Sequence, residues 1–349
     1  MIGIDLFAGA GGMSLGACLA GLKVKVAVEM DTHAANTYVH NHAKVKLLTK
    51  DIRKVSITDI KPSRGQVAVF GGPPCKGFST SNQRTRSKDN PNNWLFKEFL
   101  RVVVTTNPDW VVFENVRGIL ETDGGRFVET ILKSLQKAGY TLTHGLLNAA
   151  DFGVPQNRFR FFIIGSRHGQ NINLPSPTHS CHITAAEAIC DLPALSNGAS
   201  VCRLKYGSTL PSAYGKSMRS HFDSCPNNLV TRNAPFILER YKHIPQGGNW
   251  EDIPARLMHN YTNREGCHTG IYHRLHPNQP SKVIGNYRKN MLIHPNCDRG
   301  LSVREAARLQ SFPDWFEFKG SIGFQQEQVG NAVPPLLAKA VFDVIIRAS

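Results

Sequence analysis

The sequence predicts an α/β protein: a doubly wound, mostly parallel sheet with a second, smaller, loop-rich domain. Three observations carry this. Short apolar runs recur along the first half, separated by stretches with helical spacing, as expected for strands buried between layers of helices. The first run ends in a glycine turn, Phe7-Ala8-Gly9-Ala10-Gly11-Gly12, that leads into a helical pattern. From about Ser166 the periodicity fades and Gly, Pro, Asn, Ser and His become frequent, with nine of the fourteen histidines between positions 168 and 276.

Residues 2–6 are the first strand candidate. The glycines after it let the backbone approach a ligand and present helix N-terminal amides. Leu15, Cys18, Leu19 and Leu22 follow at helical spacing. The glycines are not spaced as Gly-x-Gly-x-x-Gly, so a dinucleotide fingerprint fits poorly. Val24, Val26 and Val28 alternate along a second strand that ends in Glu29-Met30-Asp31. A carboxylate at that place accepts hydrogen bonds from both hydroxyls of a ribose. A third strand near 45–48 leads to Asp51-Ile52, a carboxylate suited to an adenine amino group beside an aliphatic wall.

The fourth run, Val67-Ala68-Val69-Phe70, precedes Gly71-Gly72-Pro73-Pro74-Cys75-Lys76-Gly77-Phe78-Ser79. Two glycines and two prolines restrict the backbone there. Cys75 then sits past the carboxyl end of a strand, where open α/β sheets place their chemistry, and a thiol so held is suited to be a nucleophile. Residues 80–93 carry Arg84, Arg86 and Lys88, have little apolar content and read as a loop closing on phosphates. A helix is expected over 94–106, with Leu95, Phe99, Val102 and Val103 on its apolar side. Residues 110–113 read as a buried strand followed by Glu114-Asn115-Val116, which brings a carboxylate to the edge where Cys75 emerges; a carboxyl there can serve as a proton donor. Phe127, Val128, Ile131 and Leu135 mark an amphipathic helix, and 140–147 and 159–164 the last strands of this half. Between them, Arg158 and Arg160 are two residues apart and share a face in extended backbone, an arrangement suited to a phosphate or a pyrimidine carbonyl. Near the C-terminus, Ser302-x-x-Glu305 is a capping box before a helical pattern in which Arg308 reads as structural. Residues 333–346 form a last apolar helix.

The 349 residues are enough for two domains, and 41% hydrophobic content is ordinary for a globular protein. The formal net charge of +15 favours a polyanionic partner, most often nucleic acid. No apolar run is long enough to suggest a membrane span, and Asp5 interrupts the first apolar stretch, against a signal peptide. The eight cysteines are scattered without a Cys-x-x-Cys pair, which speaks against zinc and for reduced thiols in a cytoplasm. His179, Cys181 and His182 are the one grouping with metal-ligand character, and no metal is expected.

In order, the motifs resemble those of the DNA cytosine-5 methyltransferases of the bacterial restriction–modification type. They are Asp5-Leu6-Phe7-Ala8-Gly9-Ala10-Gly11-Gly12, Glu29, Asp51, Gly72-Pro73-Pro74-Cys75, Glu114-Asn115-Val116 and Gln156-Asn157-Arg158-Phe159-Arg160. They continue with Arg304-Glu305-Ala306-Ala307-Arg308-Leu309-Gln310-Ser311-Phe312-Pro313 and Gln328-Val329-Gly330-Asn331-Ala332-Val333-Pro334. The resemblance implies a class I methyltransferase-like sheet, S-adenosyl-L-methionine as methyl donor and double-stranded DNA as partner. It also implies a monomer working in the cytoplasm without a membrane, nucleoid-associated in a bacterium. It makes Cys75, Glu114, Arg158 and Arg160 catalytic. Phe7, Ala8, Gly9, Gly11, Gly12, Glu29, Met30, Asp51, Ile52, Pro74 and Asn331 would bind the cofactor. Residues 1–165 would be the catalytic domain, 166–300 the target-recognition domain and 301–349 a segment returning to the first. Candidate DNA contacts are Lys205, Lys216, Arg219, Arg232, Arg264 and Arg274. Three positions depart from the family pattern: Lys76 replaces Gln, Met30 an aromatic, and Val283 Thr. The alternatives are a tRNA cytosine-5 methyltransferase, disfavoured by the long recognition region; a catalytically inactive DNA-binding module, against which Cys75, Glu114 and Arg158 stand intact; and a nicotinamide oxidoreductase, disfavoured by the glycine spacing.

Overall fold

A computed structural model describes residues 1–60, 65–74, 94–259, 270–285, 287–289 and 291–349. The chain divides into two compact units, one of Met1–Phe152, Phe159–Thr178 and Val333–Ser349, the other of Gly153–Arg158 and His179–Ala332. The sequence suggests boundaries at 165 and 300, but the segment that returns to the first unit begins at Val333, and residues 301–332 belong to the second. Residues 167–178 stay with the first unit because their backbone is tied to it: Arg167 N–H donates to the Asp109 carbonyl (3.0 Å) and Thr178 N–H to that of Asp151 (2.9 Å).

In the first unit the elements are β1 (Ile2–Leu6), α1 (Gly12–Leu19), β2 (Lys23–Val28), α2 (Thr32–Asn41), β3 (Lys46–Leu48), α3 (Ile57–Ile60), β4 (Val67–Gly71), α4 (Phe96–Thr106), β5 (Trp110–Val116), α5 (Arg126–Lys137), β6 (Thr141–Asn148) and β7 (Phe159–Ser166). The strands make one sheet in the order β3-β2-β1-β4-β5-β7-β6. Strands β1 to β5 pair in parallel, and β7 runs antiparallel to both β5 and β6. This is the doubly wound, mostly parallel sheet the apolar runs implied. Ile4, Leu6, Val69, Val111, Phe113, Phe161 and Ile163 fill its core, against Phe99, Val102 and Val103 of α4 and Phe127, Ile131 and Leu135 of α5.

The second unit holds α6 (Ala185–Ile189), β8 (Ser200–Lys205), α7 (Ala213–Arg219), β9 (Ser224–Leu229), α8 (Pro235–Lys242), α9 (Val303–Leu309) and α10 (Ile322–Asn331), with β8 and β9 forming an antiparallel pair. Ile237, Tyr241, Ile244, Ile253, Met258, Tyr272 and Ile293 form an apolar core here, and several arginines are buried as well. Arg308 is fully buried between Asp191 (3.0 Å) and Asp314 (2.7 Å), the structural role its sequence context suggested. The Ser302–Glu305 capping box starts α9 as expected.

Helix α11 (Pro335–Ala348) belongs to the first unit. It crosses α1 at Gly16, where an added Cβ would lie 2.4 Å from Ala338 Cβ and 2.6 Å from the Pro335 carbonyl. Phe342 packs edge-on against Phe70 of β4, ring centroids 4.8 Å apart. By length and composition Ile322–Ala348 matches a bilayer-crossing segment, but 50% of its apolar window is buried. Extended backbone at Ala332 and Pro334 splits it into α10 and α11.

Candidate active site

The parallel strands β2, β1, β4 and β5 lie side by side, so their carboxyl ends form one edge. Three left-handed residues shape the turn after β1: Phe7 (φ 61), Gly9 (φ 55) and Gly11 (φ 96). A non-glycine residue held left-handed is strained, and such strain collects at functional sites. Ala8 N–H ties the turn to the Val28 carbonyl of β2 (3.0 Å). Just past β2, the Glu29 carboxylate accepts from Gly9 N–H (2.8 Å) and Asp31 N–H (2.7 Å). A carboxylate offers about four lone-pair sites, so acceptor capacity remains for a further donor. Burial pushes the Glu29 carboxyl above its ordinary value, against the pull of the Asp31, Gly9 and Met30 amides. A Cβ on Gly9 would meet nothing within 4 Å, so the turn opens onto free space. Met30 is 63% exposed beside Glu29.

Asp51 differs from expectation. Its carboxylate is engaged by Arg53, whose Nε lies 3.0 Å from both oxygens, and it caps the turn at Ile52 by accepting from Arg53 N–H (2.9 Å). The Arg53 hydrogen bond holds the Asp51 carboxyl down to about 2. An adenine amino group would share this carboxylate with Arg53. Ile52 is buried, as a wall for a ring requires.

The next strand ends carry the second cluster. Gly71 passes so close to β1 that a Cβ would lie 2.0 Å from the Leu6 carbonyl oxygen. Gly72 follows, and a Cβ there would lie 2.4 Å from Glu114 Oε2. Glu114 lies within β5, two residues before its carboxyl end at Val116 and cross-strand from Phe162, close to the strand-end position the sequence suggests. Arg160 of β7 stands diagonally opposite on the same face, and its Nε meets Glu114 Oε1 at 2.9 Å, both side chains nearly buried. Burial lowers the Arg160 guanidinium and Glu114 opposes that shift. Asn115 donates to the Pro73 carbonyl (3.1 Å) and accepts from Val116 N–H (2.9 Å), fixing the backbone that leads to Pro74. Cys75 and Lys76 follow directly and lie outside the described residues, as do Arg84, Arg86, Lys88 and Arg264.

Arg158 requires a correction. It was expected to share a face, and a substrate, with Arg160. Strand β7 begins only at Phe159, so the two arginines take different partners. The Arg158 guanidinium is buried and donates to the carbonyls of Ile284 (3.0 Å), Gly330 (2.9 Å) and Ala332 (3.0 Å). It clamps backbone within the second unit. There, Asn331 is exposed at the end of α10, and Val283 is 45% exposed. Two candidate DNA contacts are also committed inside this unit. Arg219 binds Asp191 (2.6 Å) and lies over the Tyr206 ring, and Arg274 donates to the carbonyls of Tyr241, Ile244, His294 and Cys297. Lys205, Lys216 and Arg232 are exposed. Among the described residues no group of three or more His, Cys, Asp or Glu is placed to hold a metal ion.

Gly72, Asn115 and Asp5 stand in the sequence motifs without an assigned role, and Ser14, Tyr38 and His42 behind the glycine turn belong to no motif. The overlooked signal was Tyr38 and His42 at i, i+4 in a polar segment.

The family model of the C-5 cytosine-specific DNA methylases matches residues 1–347. The chain is 37% identical to the Type II methyltransferase M1.HphI of Haemophilus parahaemolyticus, over 99% of this chain and 86% of that one. It is 34% identical to the Type II methyltransferase M.DdeI of Desulfomicrobium norvegicum, over 98% and 88%. Among solved structures, a DNA modification methyltransferase encoded within an E. coli prophage superposes with a TM-score of 0.80 at 24% identity, over 99% of each chain, a likeness of fold. With glycine turn, Glu29, Gly72-Pro73-Pro74 and Glu114 along one sheet edge, this chain belongs to the C-5 cytosine-specific DNA methylase family.

Proposed function

We propose that the protein methylates carbon 5 of a cytosine flipped out of double-stranded DNA, with S-adenosyl-L-methionine as donor and Cys75 as covalent nucleophile. The observation that carries this is the alignment of Glu29, the glycine turn, Pro74 and the Glu114–Arg160 pair at the carboxyl ends of neighbouring strands. The donor fits the first of these groups. Glu29 keeps acceptor capacity for ribose hydroxyls, Gly9 opens onto free space, and Met30 and Ile52 offer apolar surface to a ring. When bound, S-adenosyl-L-methionine supplies an electrophilic methyl group.

The chain's own groups do the rest. Carbon 5 of cytosine is a poor nucleophile inside an aromatic ring, and the base must leave the stack to be reached. The Cys75 thiolate adds to carbon 6, while Glu114 hydrogen-bonds or protonates ring nitrogen 3. This gives an enamine whose carbon 5 takes up the methyl group. Removal of the carbon 5 proton then expels Cys75. Arg160 fixes the Glu114 rotamer and balances its charge. Arg158 acts through the backbone it clamps, and Asn331 is retained as a candidate donor contact. The first unit is the catalytic one and the second reads the target. The protein works as a monomer on DNA in the cytoplasm, as the modification partner of a restriction system.

Bisulfite sequencing of both DNA and tRNA from cells expressing the protein tests this. Protection of cytosines at one short sequence, lost with Cys75→Ser, is the expected result. Protection confined to tRNA would overturn it.

A further inference from the structure

The glycine turn is held from behind by side chains that the proposed chemistry does not use. Tyr38 and His42 stand four residues apart on one face of α2 and its C-cap, ring centroids 4.5 Å apart. His42 Nε2 lies 3.1 Å from the Gly11 carbonyl oxygen. A carbonyl only accepts, so Nε2 carries the ring proton and donates. The ring is neutral, burial pushing it down to about 4. It also fills the space a side chain at Gly11 would need, since a Cβ there would lie 2.5 Å from Nε2. Tyr38 is fully buried, with its hydroxyl 2.7 Å from Ser14 Oγ, and Ser14 donates in turn to Asp5 Oδ2 (2.6 Å). One helix face therefore reaches the turn itself through His42, and β1 and α1 on either side of it through Tyr38.

We propose that Tyr38 and His42 are positioning residues for the methyl donor, holding the left-handed turn at Gly9 and Gly11 in the arrangement that receives it. This rests on the reading of that turn as the S-adenosyl-L-methionine site. Two glycines give the turn more conformational freedom than any other residues would. Without the grip, that freedom is lost at the moment of binding and opposes affinity. The α2 side chains make the turn rigid beforehand and leave its solvent side open.

The test is calorimetric titration of the full chain with S-adenosyl-L-methionine, paired with steady-state methylation of duplex DNA. The variants are His42→Leu, His42→Gln and Tyr38→Phe. His42→Gln keeps an N–H donor close to the Nε2 position. With one hydrogen bond lost, His42→Leu should raise both Kd and KM for the donor about tenfold, leaving KM for DNA and kcat at saturating donor within about twofold. His42→Gln should stay within about threefold of wild type, and Tyr38→Phe should raise Kd about threefold with the same split. A donor Kd within about twofold of wild type in His42→Leu would overturn the proposal. So would a His42→Gln as weak as His42→Leu, which would assign the effect to packing, or losses confined to kcat. Should His42→Leu fail to fold, Tyr38→Phe, which removes one oxygen, is judged by the same split. Wild type that does not bind the donor would refute the functional reading itself; wild type that binds it with indifferent variants would refute only the positioning role.

Discussion

Replacing Gly72 by Ala adds one methyl group where the structure leaves no room. The new Cβ would stand 2.4 Å from Glu114 Oε2, and ordinary contact begins at 3.4 Å, so the carboxylate must retreat by about 1 Å. Arg160 holds Glu114 at 2.9 Å, so the shift also breaks or drags that pair. Gly72 is not a left-handed glycine, so the backbone accepts alanine and the effect is local. A misplacement of about 1 Å in a catalytic group costs on the order of 100-fold in rate, or about 2.7 kcal/mol of barrier. Single-turnover methyl transfer at saturating donor and DNA reads this directly. The rate should fall about 100-fold while donor affinity stays unchanged, since Glu29 and the glycine turn are untouched. A folded Gly72→Ala protein with a rate within about threefold of wild type would refute the claim that the chemistry depends on where Glu114 is held.

Asp5 is buried and, chiefly through desolvation, its carboxyl is pushed up to about 8 from an ordinary 3.8. The folded state keeps a proton that the unfolded chain releases, so stability falls as pH rises from about 4 to about 8, by at most about 1.4 kcal/mol per unit. Asp5→Asn should lose that slope in denaturant titrations between pH 5 and 8, and parallel curves would contradict it. Arg308→Met strips Asp191 and Asp314 of a buried partner and should cost about 3–5 kcal/mol, lowering Tm by on the order of 10 °C; an unchanged melt would count against the clamp. Joint replacement of the exposed Lys205, Lys216 and Arg232 by Ala should flatten the salt dependence of DNA binding by about 2–3 in log–log slope, and an unchanged slope would remove them from the phosphate contacts.

Much of the first unit was legible in the sequence because its central strands β1, β4 and β5 are buried on both faces and read as continuous apolar runs. Val67-Ala68-Val69-Phe70 and Trp110-Val111-Val112-Phe113 announce themselves this way. Helix α2 was not legible. Its ten residues are mostly Thr, Asn and His, and its start depends on the Asp31 side chain accepting from Ala34 N–H, a cap that reads equally well as a strand end. Strands β8 and β9 hid for the opposite reason to β4: β8 is largely exposed, and β9 carries Pro226 and a left-handed Asn227. At the site, Glu29 and Glu114 could be found because strand ends position them. The partners of Arg158, Arg219 and Arg274 could not, because spacing reports a shared face and says nothing of distant carbonyls or of Asp191. The Asp51–Arg53 pair escaped because a charge two residues away is as easily solvated as paired.

The most direct measurement is covalent trapping. If the Cys75 thiolate adds to carbon 6, fluorine at carbon 5 blocks the final proton removal after methyl transfer. Duplex DNA carrying 5-fluorocytosine at the target should then hold the protein in a complex that survives denaturing gels. Trapping should require S-adenosyl-L-methionine, slow with Glu114→Gln and vanish with Cys75→Ser, because a serine hydroxyl is far less ionised than a thiol near neutral pH. Equal trapping of fluorinated DNA by Cys75→Ser would mean that another residue is the nucleophile.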